Sequence, residues 1–204
     1  DNQTGNGIRN AVASGNAGAA ATSYYQKGAP ADKVVLWAES HDTYSNENKE
    51  STGVSAVNIN KTWAMVASRA NATSLYFART NGYRAGMIGT IGTYDWKNKE
   101  VAEVNKFHNF FHGETEYLAS SGNIAYNERG TSGVVLVNCS GTSTSVNVKA
   151  NKMADGTYKD QITGNTFTVS NGYIKGNIGS TGIAVVYNAQ KEPKATISME
   201  GGSF

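Results

Sequence analysis

The chain has 204 residues, of which 39% are hydrophobic and 17% charged, and its formal net charge is +2. Such a composition is typical of a globular protein, and the small net charge argues against nucleic acid or an anionic membrane as a partner. No apolar run approaches the length of a membrane span. Cys139 is the only cysteine, which excludes an intrachain disulfide, and its apolar neighbours predict a core thiol rather than a nucleophile.

The two ends of the sequence indicate a longer polypeptide. The amino terminus has no methionine, basic segment or apolar core, so we interpret it as the middle of a chain rather than a signal peptide. Residues 196–204 have the pattern of a strand and turn that should continue. Residues 1–32, rich in Gly, Ala, Ser and Asn, leave two interpretations open, a disordered linker or a long loop with a short helix near Ile8 to Ala13.

A first strand is predicted at residues 33–39. Its apolar residues do not alternate with polar ones, which favours a strand buried on both faces of a parallel sheet. Three ionisable side chains, Glu39, His41 and Asp42, follow where this strand must end. Because the carboxyl ends of parallel strands carry the chemistry of such folds, these residues are candidate active-site residues.

A helix is predicted from Asn58, which we assign as its N-cap. Lys61 and Arg69 are expected on its surface. Its buried face is predicted to consist of Ile59, Trp63, Val66 and Ala70, with Trp63 packing in the core rather than binding a ligand.

A second strand is predicted at residues 74–78, which completes a βαβ unit and implies a parallel sheet. Arg79 stands at its end, and Arg84 lies in the glycine-rich loop that follows. These two arginines either orient active-site carboxylates, hold an anion, or form surface salt bridges. The loop glycines do not fit a phosphate-binding motif.

A second helix is predicted at residues 98–111. His108 and His112 lie four residues apart, a spacing that suits a metal ion, but no acidic partner accompanies them. We therefore favour a structural or surface role for both.

The pattern changes after about residue 116, where short β-rich runs alternate with turn residues. This spacing predicts an antiparallel β-sandwich, and Asn171-Gly172 predicts a two-residue hairpin turn. The predicted strands are residues 133–138, 144–148, 156–160, 166–169, 173–178 and 182–187.

The run Trp-Ala-Glu-Ser-His-Asp-Thr-Tyr-Ser-Asn at residues 37–46 resembles the fourth conserved region of the α-amylase family, glycoside hydrolase family thirteen. The likeness is greatest to secreted bacterial members. It extends along the chain: residues 60–64 resemble the helix after the seventh barrel strand, residues 74–79 the eighth strand, and residues 104–109 the eighth helix. Residues 127–130 and 133–138 resemble the start of the family's C-terminal β-domain.

The resemblance implies an α/β plus all-β chain, in which the last strand–helix units of a (β/α)8 TIM barrel precede an antiparallel β-sandwich. Residues 1–115 would supply the barrel part and residues 116–189 the β-domain. Residues 190–204 would be a linker or the start of a further module, such as a starch-binding one.

The resemblance also implies roles for individual residues. Asp42 would be the third catalytic acid, which holds two sugar hydroxyls and stabilises the transition state without attacking. His41 would bind the same sugar, and Asn46 would contact a neighbouring subsite. Glu39 would support these side chains without contacting the sugar itself. The implied reaction is hydrolysis of internal α-1,4-glucosidic bonds of starch or maltooligosaccharides with retention of configuration.

The family's nucleophile, acid/base and calcium site belong to earlier strands that this sequence does not show. Calcium is expected for the complete enzyme, with no ligand in this chain, and the missing amino-terminal part of the barrel is an expected partner. The 204 residues alone are predicted to be inactive and poorly soluble. The complete protein is expected to be secreted by a bacterium.

Two alternatives stay open. One is a non-catalytic carbohydrate-binding β-protein with a barrel remnant, which pairs of surface Trp and Tyr side chains would favour. The other is a related α-glucosidase or transglycosylase, since such specificities depend on loops outside this sequence.

Overall fold

The computed structural model describes residues 1–45, 48–80 and 91–189, so Asn46, Arg84 and the predicted tail at 190–204 lie outside the described residues. The helices within them are α1 (Asn2–Ala13), α2 (Ala17–Ala20), α3 (His41–Ser45), α4 (Ala56–Ala67) and α5 (Lys99–Phe110). The strands are β1 (Val35–Leu36), β2 (Thr73–Ser74), β3 (Glu116–Ser121), β4 (Ile124–Arg129), β5 (Gly133–Asn138), β6 (Thr144–Lys149), β7 (Gly156–Lys159), β8 (Thr166–Ser170), β9 (Tyr173–Ile178) and β10 (Ile183–Val186).

The amino-terminal segment forms a helix, so the disordered-linker interpretation of residues 1–32 is wrong. The Asp1 side chain caps α1 by accepting a hydrogen bond from the backbone N–H of Thr4 at 3.0 Å. Its second carboxylate oxygen accepts from the N–H of Gln26 at 2.8 Å, which ties the end of this segment to the start of α1. Ile8 and Val12, on one face of α1, are fully buried.

Strands β1 and β2 pair in parallel, with Val35 opposite Thr73 and Leu36 opposite Ser74. The chain between them contains α4, as the predicted βαβ unit requires. Both strands are shorter than the predicted ranges of 33–39 and 74–78, since each contains two residues. The prediction of burial on both faces is wrong here, because Leu36 is fully buried while Val35 is 40% exposed. Helices α1 and α4 contact this pair of strands on the buried side.

Helix α4 begins at Ala56 and is capped by Ser55, whose hydroxyl accepts from the N–H of Asn58. The assignment of Asn58 as the N-cap is therefore wrong, because the helix starts one turn earlier. Of the predicted face, Ile59, Trp63 and Val66 are buried as expected, whereas Ala70 lies beyond the end of α4 and is only half-buried.

Lys61 and Arg69 are buried, contrary to their predicted surface positions, with 2% and 0% exposure. Backbone carbonyls from distant parts of the chain satisfy both cations. The Lys61 ammonium donates to the Gly141 carbonyl. The Arg69 guanidinium donates to the Thr22 carbonyl at 2.6 Å and to the Tyr25 hydroxyl at 3.2 Å.

The carboxyl-terminal part consists of two four-stranded antiparallel sheets, ordered β10-β5-β4-β3 and β6-β9-β8-β7. Apolar side chains from both sheets share one core, while the opposite face of the first sheet packs against the helices. Strand β5 is accordingly buried along its whole length. Val134 and Leu136 lie in the core between the two sheets, and Val135 lies in the core between the first sheet and the helices. Strand β6 alternates between buried and exposed residues because its outer face meets solvent.

The predicted hairpin turn at Asn171-Gly172 is confirmed, since both residues have positive φ, at 52° and 74°. Strands β3 and β4 are joined by an antiparallel ladder of six residue pairs and are absent from the strands predicted from the sequence. Cys139 is 5% exposed, and burial raises the pKa of its thiol, so the core-thiol prediction is confirmed.

The mixture of helices and antiparallel sheets agrees with the predicted fold class. The assignment to the end of a barrel and the division into residues 1–115 and 116–189 stay predictions. No helix in the described part of the chain is long and apolar enough to cross a membrane.

The close approach of α1 to β1 predicts opposite effects of two glycine substitutions. A Cβ at Gly5 would lie 2.2 Å from the Trp37 carbonyl oxygen, whereas at Gly7 no described atom lies within 4 Å. We expect Gly5→Ala to destabilise the protein by about 1–3 kcal/mol through overpacking. Gly7→Ala should stabilise it by up to about 1 kcal/mol through helix propensity. Urea denaturation of both variants measures the difference, and equal effects would contradict this packing.

Candidate functional site

The candidate site lies where β1 ends and α3 begins. The Ser40 N–H donates to the Thr43 hydroxyl at 2.9 Å, and the Thr43 N–H donates to the Ser40 hydroxyl at 3.3 Å. This reciprocal pair resembles a capping box and starts the helical turn directly after the strand. Thr43 is 2% exposed, so the turn is anchored through its inner side.

The same turn places His41 and Asp42 outward. Their side chains are 79% and 65% exposed, and His41 Nε2 lies 3.3 Å from Asp42 Oδ1. Both are therefore open to a ligand, as the predicted substrate-binding roles require. Asn46, the third predicted site residue, lies outside the described residues, so the structure does not place it.

Glu39 and Arg79 form a buried ion pair beneath this turn. Arg79 Nε donates to Glu39 Oε1 at 2.7 Å, and Arg79 Nη2 donates to Glu39 Oε2 at 2.9 Å. The side chains are 2% and 15% exposed, so a surface salt bridge is the wrong interpretation of Arg79. Two parallel hydrogen bonds fix the orientation as well as the distance of the pair.

Arg79 also holds the loop that follows α3. Its Nη2 atom contacts the carbonyl oxygens of Val54 at 2.8 Å and Ser51 at 3.2 Å, and its guanidinium lies 4.8 Å from the centre of the Tyr44 ring. The loop is bonded to α3 as well, since the Ser51 N–H donates to the Thr43 carbonyl at 2.9 Å. One guanidinium thus joins the end of β1 to residues 51–54.

Arg9 is the residue of this region that the sequence analysis missed. It is fully buried in α1, and its Nη1 atom donates to the Ala38 carbonyl at 2.6 Å. Its guanidinium also lies 3.7 Å from a carboxylate oxygen of Glu50. One feature of the sequence could have identified Arg9. It lies on the apolar face of a helical segment, residues 2–13, that contains no acidic residue, so a buried guanidinium there needs a partner distant in sequence.

A cleft of about 320 Å³ opens beside these residues. Burial, followed by the carboxylates of Asp95 and Glu39, raises the pKa of Tyr76 at its wall, so that hydroxyl stays protonated at neutral pH. The cleft combines apolar rings with a few polar groups, as small-ligand sites do. It is lined by Trp37, Glu39, Ser40, His41, Asp42, Leu75, Tyr76 and Phe77.

His108 and His112 line a different cleft, of about 490 Å³, between α4, β2 and α5. In the described part of the chain, no group of three or more His, Cys, Asp or Glu side chains is arranged to hold a metal ion. The structure therefore does not bring the two histidines together with the residues at the end of β1.

The sequence is similar to curated α-amylases of two bacteria. It is 36% identical over 169 residues to one from Clostridium acetobutylicum and 30% identical over 208 residues to one from Butyrivibrio fibrisolvens. These matches cover 81% and 89% of this chain but only 21% of each relative, which is consistent with a chain that corresponds to the C-terminal part of such proteins. A scan against protein-family models found no match.

Solved structures agree at the level of the fold. α-Amylase I from Eisenia fetida superposes with a TM-score of 0.69 at 14% identity, over 91% of this chain and 48% of that protein. AmyP in complex with maltose superposes with a TM-score of 0.52 at 11% identity, over 75% of this chain and 40% of that protein. The relatives and the solved structures are glycoside hydrolases, and this is the class of protein to which the comparisons point. Within it, the chain belongs to the α-amylase family.

Proposed function

We propose that this chain is part of an α-amylase that hydrolyses internal α-1,4-glucosidic bonds of starch and maltooligosaccharides with retention of configuration. The observation that carries the proposal is the exposed His41-Asp42 pair beside a cleft at the carboxyl end of a parallel strand. The bacterial homologues named α-amylase support the same function. The end of a (β/α)8 barrel and secretion are parts of this proposal.

In the proposed mechanism Asp42 acts on the substrate without attacking it. Its carboxylate accepts hydrogen bonds from two hydroxyls of the sugar at the cleavage point, and these bonds strengthen as the ring flattens towards the oxocarbenium-like transition state. His41 donates a hydrogen bond to the same sugar, and Asn46 contacts a neighbouring one. The nucleophile and the acid/base, two carboxyl groups about 5 Å apart in retaining enzymes, come from the amino-terminal part of the barrel.

Calcium is proposed for the complete enzyme and not for the described residues. Among the described residues, no group of three or more His, Cys, Asp or Glu side chains is arranged to hold a metal ion.

The test compares this chain with the longer polypeptide that restores the upstream barrel strands. We expect the longer polypeptide to release reducing sugars from soluble starch, and the 204-residue chain, verified by intact mass, to release none. Proton NMR of the first products should show the α-anomer, because the reaction proceeds with retention. Activity from the 204 residues alone would contradict the proposal, because the nucleophile would then lie within them.

One observation favours the alternative of a non-catalytic carbohydrate-binding protein. Tyr94 and Trp96 lie two residues apart with 56% and 50% exposure, which suits stacking on a sugar, although the Lys97 ammonium lies 4.5 Å and 5.0 Å from the centres of their rings. If the longer polypeptide binds starch without hydrolysing it, this alternative replaces the proposal. Transfer of glucosyl units to an added acceptor would instead indicate a transglycosylase.

A further inference from the structure

In the proposed function, the position of His41 and Asp42 depends on the turn that carries them. His41 and Asp42 stand on a single helical turn and are mostly exposed, so neighbouring side chains do not fix them by burial. If the turn could move, the Asp42 carboxylate would be displaced from the productive geometry by more than the fraction of an ångström that catalysis tolerates. The Ser40–Thr43 pair closes the turn itself, so the remaining requirement is a group that fixes both ends of the turn to the rest of the fold.

Arg79 meets that requirement from both ends of the turn. Upstream, its fork is paired with Glu39, two residues before His41. Downstream, its Nη2 atom contacts two carbonyls of residues 51–54, and its guanidinium packs on the Tyr44 ring. A lysine at this position would keep the charge but would not reproduce the fork or the stacking.

The same strand end is also held by Arg9, which donates to the Ala38 carbonyl at 2.6 Å. Two arginines that are far apart in sequence thus fix two consecutive residues, Ala38 and Glu39, immediately before the site. Replacing a buried ion pair by apolar side chains of the same volume is often neutral or stabilising, so stability alone does not account for the Glu39–Arg79 pair. The Glu39–Arg79 ion pair is therefore better explained by its positioning of the turn at His41 and Asp42 than by its contribution to the free energy of unfolding.

We propose that Arg79 is a positioning residue of the enzyme, whose guanidinium joins Glu39 to residues 51–54 and so holds His41 and Asp42 in the geometry that acts on the sugar. This inference rests on the proposed function and assigns the residue that its site depends on.

The experiment compares Arg79→Lys with Arg129→Lys in the longer polypeptide. Arg129 is an equally suitable target for substitution, since it is fully buried and donates to the carbonyls of Ser68 and Phe111, at the ends of α4 and α5. We expect Arg79→Lys to lower kcat on soluble starch by roughly 10-fold or more, with KM changed far less, because the lost contacts act through Asp42 in the transition state. Arg129→Lys should leave both constants unchanged below its melting temperature.

Adding Glu39→Gln tests whether the two residues act as one unit. Each single substitution should lower kcat, and the double variant should be little worse than Arg79→Lys alone, because both changes remove the same contact. Additive losses, wild-type kcat in Arg79→Lys, or an equal loss in Arg129→Lys would overturn the inference.

Hydrogen exchange on the same polypeptides separates this inference from the proposed function. The Tyr44 and Ser51 amides, which are bonded to Ser40 and Thr43, should exchange at least roughly 10-fold faster in Arg79→Lys and not in Arg129→Lys. If the wild-type polypeptide does not hydrolyse starch, the proposed function fails. The exchange measurement still tests whether Arg79 holds the turn at His41 and Asp42. Unchanged exchange at both amides would overturn it.

Discussion

An Asp42→Asn variant of the longer polypeptide is expected to hydrolyse soluble starch with a kcat lower by roughly 10²-fold or more, because its amide cannot accept two charge-assisted hydrogen bonds from the sugar. The side chain is 65% exposed, so the substitution should leave the fold intact. Binding of starch should persist, since other subsites contribute to it. Steady-state kinetics and a starch-pelleting assay measure the two effects separately.

Asp32→Asn provides the matched control. Asp32 has a similar exposure, 62%, and precedes the same strand, but its partner is the neighbouring Lys33 and it lies outside the cleft. Its kcat should equal that of the wild type. Near-normal turnover in Asp42→Asn would remove Asp42 from the mechanism, and a loss in both variants would point to a general effect of charge.

The largest effect on stability is expected for Phe107→Ala. Phe107 in α5 is fully buried, and its ring lies 4.6 Å from that of Phe111 and 5.6 Å from that of Tyr187, which follows β10. Gly133 leaves the room for these rings, since a Cβ there would lie 2.3 Å from Phe111 Cζ. Removing the Phe107 ring should cost about 3–5 kcal/mol of unfolding free energy, as large-to-small core substitutions do.

Phe110→Ala is the control for that prediction. Phe110 belongs to the same group of rings, 5.0 Å from that of Tyr187, but it is 44% exposed. Its truncation should cost only about 1 kcal/mol, close to the value of an aromatic pair. Urea unfolding followed by circular dichroism measures both, and equal costs would show that α5 does not depend on Phe107 for its packing on the first sheet.

Local signals along the sequence predicted most of the elements correctly. Helix α5 and strands β5 to β10 follow from apolar period and turn residues, which act over a few neighbouring positions. The turn at Asn171-Gly172 was predictable because positive φ is a local property of these residue types. The motif at residues 37–46 likewise located the candidate site, since its residues are contiguous.

The errors have a common physical origin. Lys61 and Arg69 were expected in solvent because a helical period shows only which face is apolar, while their carbonyl partners belong to other segments. The exposure of Val35 and the burial of both faces of β5 depend on which layers cover each strand. Periodicity within one segment carries no information about those partners.

The sequence by itself determined the candidate residues Glu39, His41 and Asp42, their order, and the presence of a strand before them, although β1 ends at Leu36 rather than at residue 39. Only the tertiary structure decided that Glu39 is buried against Arg79 and that Arg9 reaches the same strand end from α1. The reason is that a buried charge needs a partner from whichever segment the fold brings next to it, and these partners lie 40 and 29 residues away along the chain.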